Sequence, residues 1–488
     1  MSYLELLKLA APEAIVVVTA LAVLTIALTT VRTSVLGPIV AALGVAVAIG
    51  AVVMLPPRAN LFGGMLVISP LNSLFKIICL ALALATVPLV FSEKSLPNPG
   101  EYIAVLLLGS VGLMLLVGSE ELLMIFIGLE LLGLSLYVLA AFDKTDVRSA
   151  EAGLKYFLFG STASAFTLFG ISLIYGLSGT TALAAIGQKL TTLPLQPLLA
   201  VGIVMTLIGF AFKIAAAPFH LWAPDAYQGA PIPSAAFIAS GSKVASFVVL
   251  GKIVLIGFGP VHGSADWHAM IAGWSPLLAA LAAFSILLGN FVALAQTNVR
   301  RLLAYSAVAH GGYTLLGVVA GGREGFSATL FYTSTYAVTL IGAFAVVGAV
   351  RRETGGDDLQ NFSGLAAGSP FLAACMAIFF LSLAGLPPLA GFFGKFYLFS
   401  AAFRAGGNHG LLWLVAIALF GSFVSLYYYL IVLKLIFVEK VSESGSGHWS
   451  LVTGHFVANA TIALLAAVVL VLGIMPQTLA AKIIASLP

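Results

Sequence analysis

The stretch FKIAAAPFH at residues 212–220 lies in the middle of an apolar segment that covers residues 197–229. A second stretch, LAGLPPLAG at residues 383–391, interrupts the apolar segment 370–404 in the same way. Proline cannot donate the backbone hydrogen bond of a helix, so each stretch is predicted to break a helix near its centre. Backbone groups freed inside a bilayer are costly, and such breaks persist only where protein or a water-filled cavity covers them. The two broken segments therefore indicate a transport pathway through a helical membrane protein.

The composition of the whole chain agrees with a membrane location. Of the 488 residues, 61% are apolar and only 8% are charged, whereas charged residues make up about 25% of a soluble protein. A transmembrane helix needs about 20 residues, so the chain has room for roughly 14 to 16 helices and for no large extramembrane domain. The apolar runs are long and continuous, unlike the alternating segments of about ten residues that form a membrane barrel.

Fourteen apolar segments bounded by charge, proline or glycine are predicted to span the membrane, so we expect an all-α integral membrane protein of about 14 transmembrane helices. The segments are 12–31, 37–55, 70–91, 102–118, 121–141, 150–176, 197–229, 232–257, 273–293, 299–319, 327–350, 370–404, 412–437 and 455–475.

The positions of the two broken segments divide the chain into halves. The first is the fourth segment of a five-segment block at 102–257, and the second is the fourth of a block at 273–437. Because five is odd, consecutive copies lie in the membrane with opposite orientation. The spacing thus predicts two inverted five-helix repeats, each with a discontinuous helix. Residues 1–97 hold helices 1–3, and residues 455–488 hold helix 14 and a short tail.

Lysine and arginine are distributed unequally between the loops on the two sides. One side holds Arg32, Lys94, Lys144, Arg148, Arg300, Arg301, Arg351, Arg352 and Lys440, and the other holds Lys8, Arg58, Lys189, Arg323, Arg404 and Lys482. Loops rich in lysine and arginine face the cytoplasm. The bias therefore places both termini on the non-cytoplasmic side.

Charged side chains inside the predicted spans are the candidate functional residues. They are Lys76, Lys155, Lys213, Lys243, Lys252, Lys395 and a single acid, Glu130, with His220 and His310 within or beside the segments. A charge at the centre of a membrane helix costs about 2.5–3.5 kcal/mol on insertion scales. For Lys76 and Lys252 two alternatives stay open, a functional role or a long side chain that extends to the headgroups.

Proton relay is the chemistry that such a row permits. A lysine ammonium removed from water can release its proton near neutral pH, and a carboxylate close to it restores the charged form. A Glu–Lys pair of variable separation, joined to further lysine and histidine sites, can therefore pass protons in steps.

Several cofactor motifs are missing from the sequence. It has no GxxxxGK[ST] loop, no CxxCH, no cysteine cluster, no GxGxxG that opens a helix and no HExxH. Neither P-loop ATP hydrolysis nor a haem, iron–sulfur, dinucleotide or zinc site is indicated. Cys79 and Cys375 each lie in an apolar run and are predicted to be buried small side chains. Any redox energy is expected to come from partners.

Short motifs along essentially the whole chain carry a resemblance to a known family. They are GLELLGLSLYVL at 128–139, AEAGLKYF at 150–157, Phe212-Lys213, PFHLWAPDAY at 218–227, Ser242-Lys243, NVRRLLAYS at 298–306, Leu386-Pro387-Pro388 and Gly394-Lys395. With these motifs the chain resembles the antiporter-like subunit N of respiratory complex I, the proton-pumping NADH:quinone oxidoreductase, which is the counterpart of mitochondrial subunit 2.

The resemblance implies inverted repeats of helices 4–8 and 9–13 and a role for each candidate residue. Glu130 would be the fifth-helix acid, Lys155 a sixth-helix site, and Lys213 the broken-helix lysine whose pairing with the acid is modulated. Lys243 and His310 would be central relay positions, and Lys395 the terminal site on the second broken helix. One departure concerns Asn72: the resemblance leads us to expect an aspartate near the start of the third segment, where the chain has Ser-Pro-Leu-Asn at 69–72.

The resemblance also implies an activity and a setting. The chain would couple NADH oxidation and quinone reduction in partner subunits to proton pumping, and it would be part of an enzyme without a redox centre of its own. NADH, FMN, iron–sulfur clusters and quinone would lie in those partner subunits. Sister antiporter-like subunits, small helical subunits and membrane lipid would surround the chain in a bacterial cell inner membrane, with no nucleic acid.

Three other interpretations remain. The first is a subunit of a multi-subunit monovalent cation/proton antiporter, a family with the same fold and acid–lysine pair. The second is a self-sufficient solute transporter, because broken helices also bind substrates. The third is a structural subunit that spaces others without moving protons. The six lysines and one acid counted in the spans favour proton transport over solute transport.

Overall fold

The computed structural model describes residues 3–29, 33–93, 96, 98–192, 195–405, 409–439 and 456–487. About four-fifths of these residues are helical. The described strands are β1 (Ala59–Leu61) and β2 (Leu66–Ile68), which form one short antiparallel hairpin between two helices. Of the charges used to predict orientation, Arg32, Lys94 and Lys440 lie outside the described residues, as does the start of the predicted segment 455–475.

The helices follow the order of the predicted segments. The N-terminal group consists of α1 (Tyr3–Leu9), α2 (Ala11–Thr29), α3 (Thr33–Val53) and α4 (Pro70–Ser92). The first block consists of α5 (Pro99–Gly118), α6 (Leu122–Ala140), α7 (Val147–Ser178), α8 (Leu183–Leu190), α9 (Pro197–Lys213), α10 (Ala223–Gly229), α11 (Ile232–Ala239) and α12 (Gly241–Lys252), which continues into a π-helical turn, Ile253–Gly257.

The second block and the C-terminal helices complete the described chain. They are α13 (Trp274–Leu294), α14 (Val299–Ala320), α15 (Gly322–Thr354), α16 (Leu365–Gly368), α17 (Pro370–Ala384), α18 (Ala390–Arg404), α19 (Leu412–Phe437), α20 (Phe456–Ile474) and α21 (Gln477–Ser486).

Within the described ranges, twelve helices are long and apolar enough to cross a membrane, and two shorter apolar helices, α9 and α17, accompany them. The chain is therefore a multi-pass, all-α membrane protein, as predicted. The two shorter helices end at the two predicted breaks. α9 stops at Lys213 and the chain resumes as α10, whereas α17 stops at Ala384 and resumes as α18. Gly385 ends α17 in the left-handed conformation, with φ 88°, which glycine adopts without steric cost.

Two isolated backbone bridges occupy matching places in the two blocks. Glu121, at the start of α6, pairs with Ala182 after α7, and Asn298, at the start of α14, pairs with Asp358 after α15. In each block the bridge connects the start of one long helix to the segment that follows the next long helix. A repeated element would produce this match, which supports the two-block prediction. The inverted relation of the blocks stays a prediction.

The central helices are the most enclosed. In the most apolar 18-residue stretch of α14 and of the α11–α12 segment, 94% of the residues are buried. The corresponding share is 33% in α2, α3, α7 and α20. Charged side chains on α12 and α14 therefore lie inside protein and away from lipid, where a buried charge can find polar partners.

Candidate functional site

Glu130 on α6 and Lys213 at the end of α9 line the same small cavity. Ser164 and Thr167 of α7 complete its polar lining. The Ser164 hydroxyl donates a hydrogen bond to Glu130 Oε1. The cavity volume is about 10 Å³, which is close to the minimum that holds one water molecule. The structure thus places the predicted acid and the predicted broken-helix lysine around one pocket.

The Lys213 ammonium faces aromatic rings. Its Nζ lies 5.4 Å from the centroid of the Tyr137 ring and 5.5 Å from that of Tyr156. Among the described residues, it has no hydrogen-bond acceptor and no ion pair within 4.0 Å, although the side chain is buried. Cation–π contacts are weaker than an ion pair. The structure therefore holds Lys213 apart from Glu130, in a pocket that both of them line.

Two glycines allow the helices around this pocket to approach closely. A Cβ at Gly133 would lie 3.3 Å from Lys213 Nζ and 3.1 Å from the Tyr137 hydroxyl. A Cβ at Gly160 would lie only 2.0 Å from the same hydroxyl. Small residues at these positions let α6, α7 and α9 pack around the lysine, as small residues commonly do in membrane helix interfaces.

A second group of buried bases lies deeper in the protein, on α12, α14 and α18. Lys243 Nζ donates a hydrogen bond of 2.6 Å to the Ala307 carbonyl oxygen and lies 5.6 Å from the Tyr336 ring centroid. Lys395 Nζ donates to the Ala384 carbonyl oxygen at 3.0 Å and to Ser422 Oγ at 2.9 Å. The broken end of α17 thus supplies an acceptor to Lys395.

His310 lies between these two lysines and is held by tyrosines. Its Nδ1 is hydrogen-bonded to the Tyr332 hydroxyl, and its Nε2 lies 3.1 Å from the Tyr429 hydroxyl oxygen. Its ring centroid lies 4.9 Å from that of Tyr336 and 5.6 Å from that of Tyr313. Both imidazole nitrogens therefore have hydroxyl partners inside the protein.

Two tyrosine rings connect the bases into a row. Tyr336 lies beside both Lys243 and His310, and Tyr313 lies beside both His310 and Lys395, whose Nζ is 5.1 Å from the Tyr313 ring centroid. We call Lys243, Tyr336, His310, Tyr313 and Lys395 the central row. Its three bases are residues that the sequence predicts as relay positions, and their role stays a prediction, whereas the tyrosines were not predicted. Hydroxyl groups at 332 and 336, one helical turn apart in mid-span, are the sequence signal that could have indicated Tyr336.

The central row and the Glu130–Lys213 pocket are separate in this structure. Across the described part of the chain, no side-chain hydrogen bond joins Lys213 to Lys243. His220, just after the first break, is buried, and its Nδ1 has no hydrogen-bond partner among the residues described. Its ring centroid lies 6.2 Å from that of Tyr305 on α14.

Lys155 lies away from both groups. Its side chain is 39% exposed and forms ion pairs with Glu151 at 2.6 Å and with Asp225 at 2.7 Å. Asp225 also binds Arg301 at 2.7 Å, so the cluster joins α7, α10 and α14. The structure does not bring Lys155 together with the other predicted relay residues.

Lys76 and Lys252 are buried and have partners inside the protein. Lys76 Nζ lies 2.5 Å from Glu13 Oε1, and Lys252 Nζ lies 2.5 Å from Asn72 Oδ1. The interpretation that these two side chains extend to the lipid headgroups is therefore wrong. The prediction that Glu130 is the single acid in the spans is also wrong, because Glu13 in the first turn of α2 is buried. Glu13 lies inside the predicted segment 12–31, so the sequence alone already contains the signal for a second acid in the spans.

Among the residues that the structure describes, no three His, Cys, Asp or Glu side chains come together in a way that could hold a metal ion. Cys79 and Cys375 are buried free thiols, as predicted. The chemistry that this arrangement supports is proton binding by Glu, Lys, His and Tyr side chains.

Residues 119–425 match the family model described as NADH:quinone oxidoreductase/Mrp antiporter, TM. The matched range contains Glu130, Lys213 and all of the central row. The chain belongs to this family. It is 45% identical to NADH-quinone oxidoreductase subunit N 2 of Acidobacterium capsulatum over 98% of each chain. The predicted resemblance to subunit N is confirmed.

Solved structures give the same relationship. The chain resembles a chain of respiratory complex I from Thermus thermophilus with bound aureothin, with a TM-score of 0.79 and 32% identity, over 96% of this chain and 98% of that one. It also resembles a chain of the Mrp complex from Dietzia sp. DQ12-45-1b, with a TM-score of 0.83 and 22% identity, over 98% and 97% of the two chains. At that identity the second likeness shows a common fold.

Proposed function

We propose that this chain is a proton-translocating membrane-arm subunit of an NADH:quinone oxidoreductase. The central row carries the proposal: three buried bases are connected by two tyrosine rings across the most enclosed helices. Lys243 and His310 act as central relay positions, and Lys395 is the terminal site. Each group binds a proton from one neighbour and releases it to the next, which is the role of ionisable chains inside membrane pumps.

The Glu130–Lys213 pocket is the proposed control point. Lys213 here faces the rings of Tyr137 and Tyr156 and not the carboxylate. A shift of the ammonium toward Glu130 would stabilise its charged form, and a shift away would favour release of the proton. A conformational change that alters this separation therefore biases proton loading. Lys155, which resembles the sixth-helix site of the family, is proposed to act through its ion cluster with Asp225 at the edge of the protein.

The redox chemistry is assigned to partner subunits. NADH, FMN, iron–sulfur clusters and quinone would bind there, and the energy would reach this chain as a conformational change. Sister antiporter-like subunits and small helical subunits are the proposed neighbours, together with membrane lipid. The names of the relatives that match over nearly the whole chain support this assignment.

The proposed location is a bacterial cell inner membrane, with both termini on the non-cytoplasmic side. The basic residues on one side of the bundle, among them Lys144, Arg148 and Arg351, support this orientation. The blocks 102–257 and 273–437 are proposed to be inverted repeats, with residues 1–97 and 455–488 outside them. The matched bridges at Glu121 and Asn298 support the two blocks.

A monovalent cation/proton antiporter subunit is the alternative function. The Mrp complex shares the fold, but the identity to that chain is 22%, against 45% to an oxidoreductase subunit N. The oxidoreductase assignment therefore has the stronger support.

Replacement of Lys213 by alanine tests the proposal. Membranes that carry Lys213→Ala would be assayed for NADH-driven quinone reduction and proton pumping, with assembly checked on a native gel. Loss of both activities in an assembled complex is the expected result. Normal pumping in an assembled complex would contradict the relay and favour a structural subunit, and absence of the chain from any redox complex would favour the antiporter.

A further inference from the structure

The N-terminal helices contain buried charges that the relay described above does not use. Glu13 on α2 and Lys76 on α4 form an ion pair of 2.5 Å, with side chains 9% and 1% exposed. Burying two charges is costly even when they are paired. The second carboxylate oxygen, Glu13 Oε2, is buried and has no hydrogen-bond partner among the residues described. This oxygen can accept a proton or a hydrogen bond.

Lys252 brings a second buried ammonium group to the same region. Its Nζ donates hydrogen bonds to Asn72 Oδ1 at 2.5 Å and to the Val117 carbonyl oxygen at 2.7 Å. The carboxylate of Glu120 lies 3.7 Å from the same nitrogen. Asn72 and Lys76 are four residues apart on α4, so they share one helix face. Asn72 therefore positions Lys252 next to the turn that carries Lys76.

The end of α5 lies between the two lysines. The carbonyl oxygen of Val117 accepts a hydrogen bond from Lys252, whereas Gly118 packs against Lys76. A Cβ at position 118 would lie 3.0 Å from Lys76 Nζ. The ammonium groups of Lys252 and Lys76 thus lie against two adjacent residues, 117 and 118, at the end of α5. We call Glu13, Lys76, Lys252 and Glu120 the N-terminal row.

A large cavity reaches one end of this row. It has a volume of about 890 Å³ and is lined by Lys252 and Glu120, together with Arg58 and Arg323. A water molecule occupies about 30 Å³ in the liquid, so the cavity has room for many. The Glu120 side chain is 31% exposed, and Arg58 is exposed. The row therefore extends from a water-accessible carboxylate to a carboxylate buried in the N-terminal helices.

We propose that the N-terminal row is a second proton-exchange site of this subunit, loaded through the cavity at Glu120 and Lys252. The inference rests on the proposed proton-pumping function. In each step a proton moves from an N–H or O–H donor to the lone pair of the next group, so charge and atoms balance without a co-reactant. Glu120 exchanges protons with water, and Lys252 exchanges them with Glu120. A charged Lys252 then passes a proton to the lone pair of a neutral Lys76, which shares it with Glu13. Asn72 is a positioning residue, since its amide does not titrate.

A structural clamp is the opposing interpretation, and Lys252→Arg separates the two. Arginine keeps the positive charge and the hydrogen-bond donors but does not release its proton at physiological pH. The cavity beside residue 252 has room for the larger group. In the assembled oxidoreductase, we expect the rate of NADH-driven proton pumping to fall about two-fold or more if Lys252 must cycle its proton. An unchanged pumping rate would overturn the proposal.

Three further variants keep the test decisive. Glu120→Gln removes the titratable group at the water-accessible end while keeping its size, and a fall of similar size is expected. If Lys252→Arg fails to assemble, the Glu120→Gln result decides alone. Arg58→Gln, at an exposed cation of the same cavity outside the row, is the matched control and is expected to pump normally. Lys213→Ala, measured in parallel, distinguishes the two hypotheses. Normal pumping in Lys213→Ala contradicts the proposed proton-pumping function. Normal pumping in Lys252→Arg and Glu120→Gln, together with loss of pumping in Lys213→Ala, contradicts only the proposal for the N-terminal row.

Discussion

The ring of Tyr336 packs against the ring of His310, with their centroids 4.9 Å apart. Lys243 Nζ lies 5.6 Å from the centroid of the same tyrosine ring. The Tyr336 hydroxyl is buried, and no described group forms a hydrogen bond with it. A buried, unpartnered hydroxyl is costly for folding, so its presence on a ring that contacts two bases favours a role in proton transfer or in holding an ordered water.

Tyr336→Phe removes this hydroxyl and keeps the ring. We expect proton pumping to fall about ten-fold or more, in line with the loss of one acid–base group. Stability is expected to stay equal or to rise by about 1 kcal/mol, because an unpartnered buried hydroxyl is removed. Pumping and quinone reduction in assembled membranes, together with the thermal midpoint of the purified complex, measure the two effects. Normal pumping would reduce Tyr336 to a packing residue.

Gly133→Ala is expected to disturb the Glu130–Lys213 pocket. The new methyl group would lie 3.3 Å from Lys213 Nζ and 3.1 Å from the Tyr137 hydroxyl. Because a neighbour must move to accommodate it, overpacking should cost about 1–3 kcal/mol and displace the ammonium. Reduced pumping with retained assembly is the expected result. Gly176→Ala on α7 is the matched control, since a Cβ at that position would have no neighbouring atom within 4 Å among the described residues. Equal behaviour of the two variants would contradict the crowding argument.

The Arg300–Asp357 ion pair predicts a loss of stability in acid. Burial raises the pKa of the Asp357 carboxyl, but Arg300 and Asn298 together lower it more, so the pKa lies below its ordinary value of 3.8. A carboxyl with a lowered folded pKa stabilises the protein above the unfolded pKa, and this contribution is lost as the pH falls through the folded value. Between about pH 5 and pH 3, the thermal midpoint of the native protein should therefore fall more than that of Asp357→Asn.

Removal of the partner should be harmful at neutral pH, where Asp357 is charged. Asp357→Ala would leave the Arg300 guanidinium buried, with the Ala230 carbonyl oxygen as its other acceptor. Loss of one partner of a buried pair costs about 3–5 kcal/mol. If Asp357→Ala and the native protein melt at the same temperature, the pair contributes nothing to folding.

The Glu13–Lys76 pair predicts strong coupling in a double-mutant cycle. Lys76→Met alone leaves a buried carboxylate without its partner, and Glu13→Leu alone leaves a buried ammonium, so each should cost about 3–5 kcal/mol. The double variant should cost far less than the sum, because neither charge remains. Thermal midpoints of the four proteins in the same detergent test this. Additive losses would mean that the two side chains act independently.

The helices and their breaks could be predicted from the sequence because both depend on local properties. Long apolar runs specify the spans, and Pro218 and Pro387 specify where α9 and α17 end. The partners of the buried charges could not be predicted in the same way. Glu13 and Lys76 are 63 residues apart, and Lys252 and Asn72 are 180 apart. No local pattern encodes such pairs, since helix packing alone decides which faces meet.

The central row and Lys155 illustrate the same limit within the candidate site. Lys243, His310 and Lys395 can be identified because a charge in an apolar run is visible in sequence. The tyrosines between them are harder to identify because a tyrosine hydroxyl gives no hydropathy signal, and only the spacing of Tyr332 and Tyr336 points to one of them. Hydropathy places Lys155 within a span, whereas the acids at 151 and 225 hold it at the edge of the protein.

The chemical composition of the central row has a consequence for ion selectivity. Its five side chains are two amines, one imidazole and two phenols, and none of them is a carboxylate. A sodium ion needs several oxygen ligands to replace its hydration shell, and it is repelled by any ammonium group on its way. A proton instead binds the lone pair of a neutral amine or imidazole and becomes part of that group. The composition of the row therefore favours protons over metal cations as the transported species.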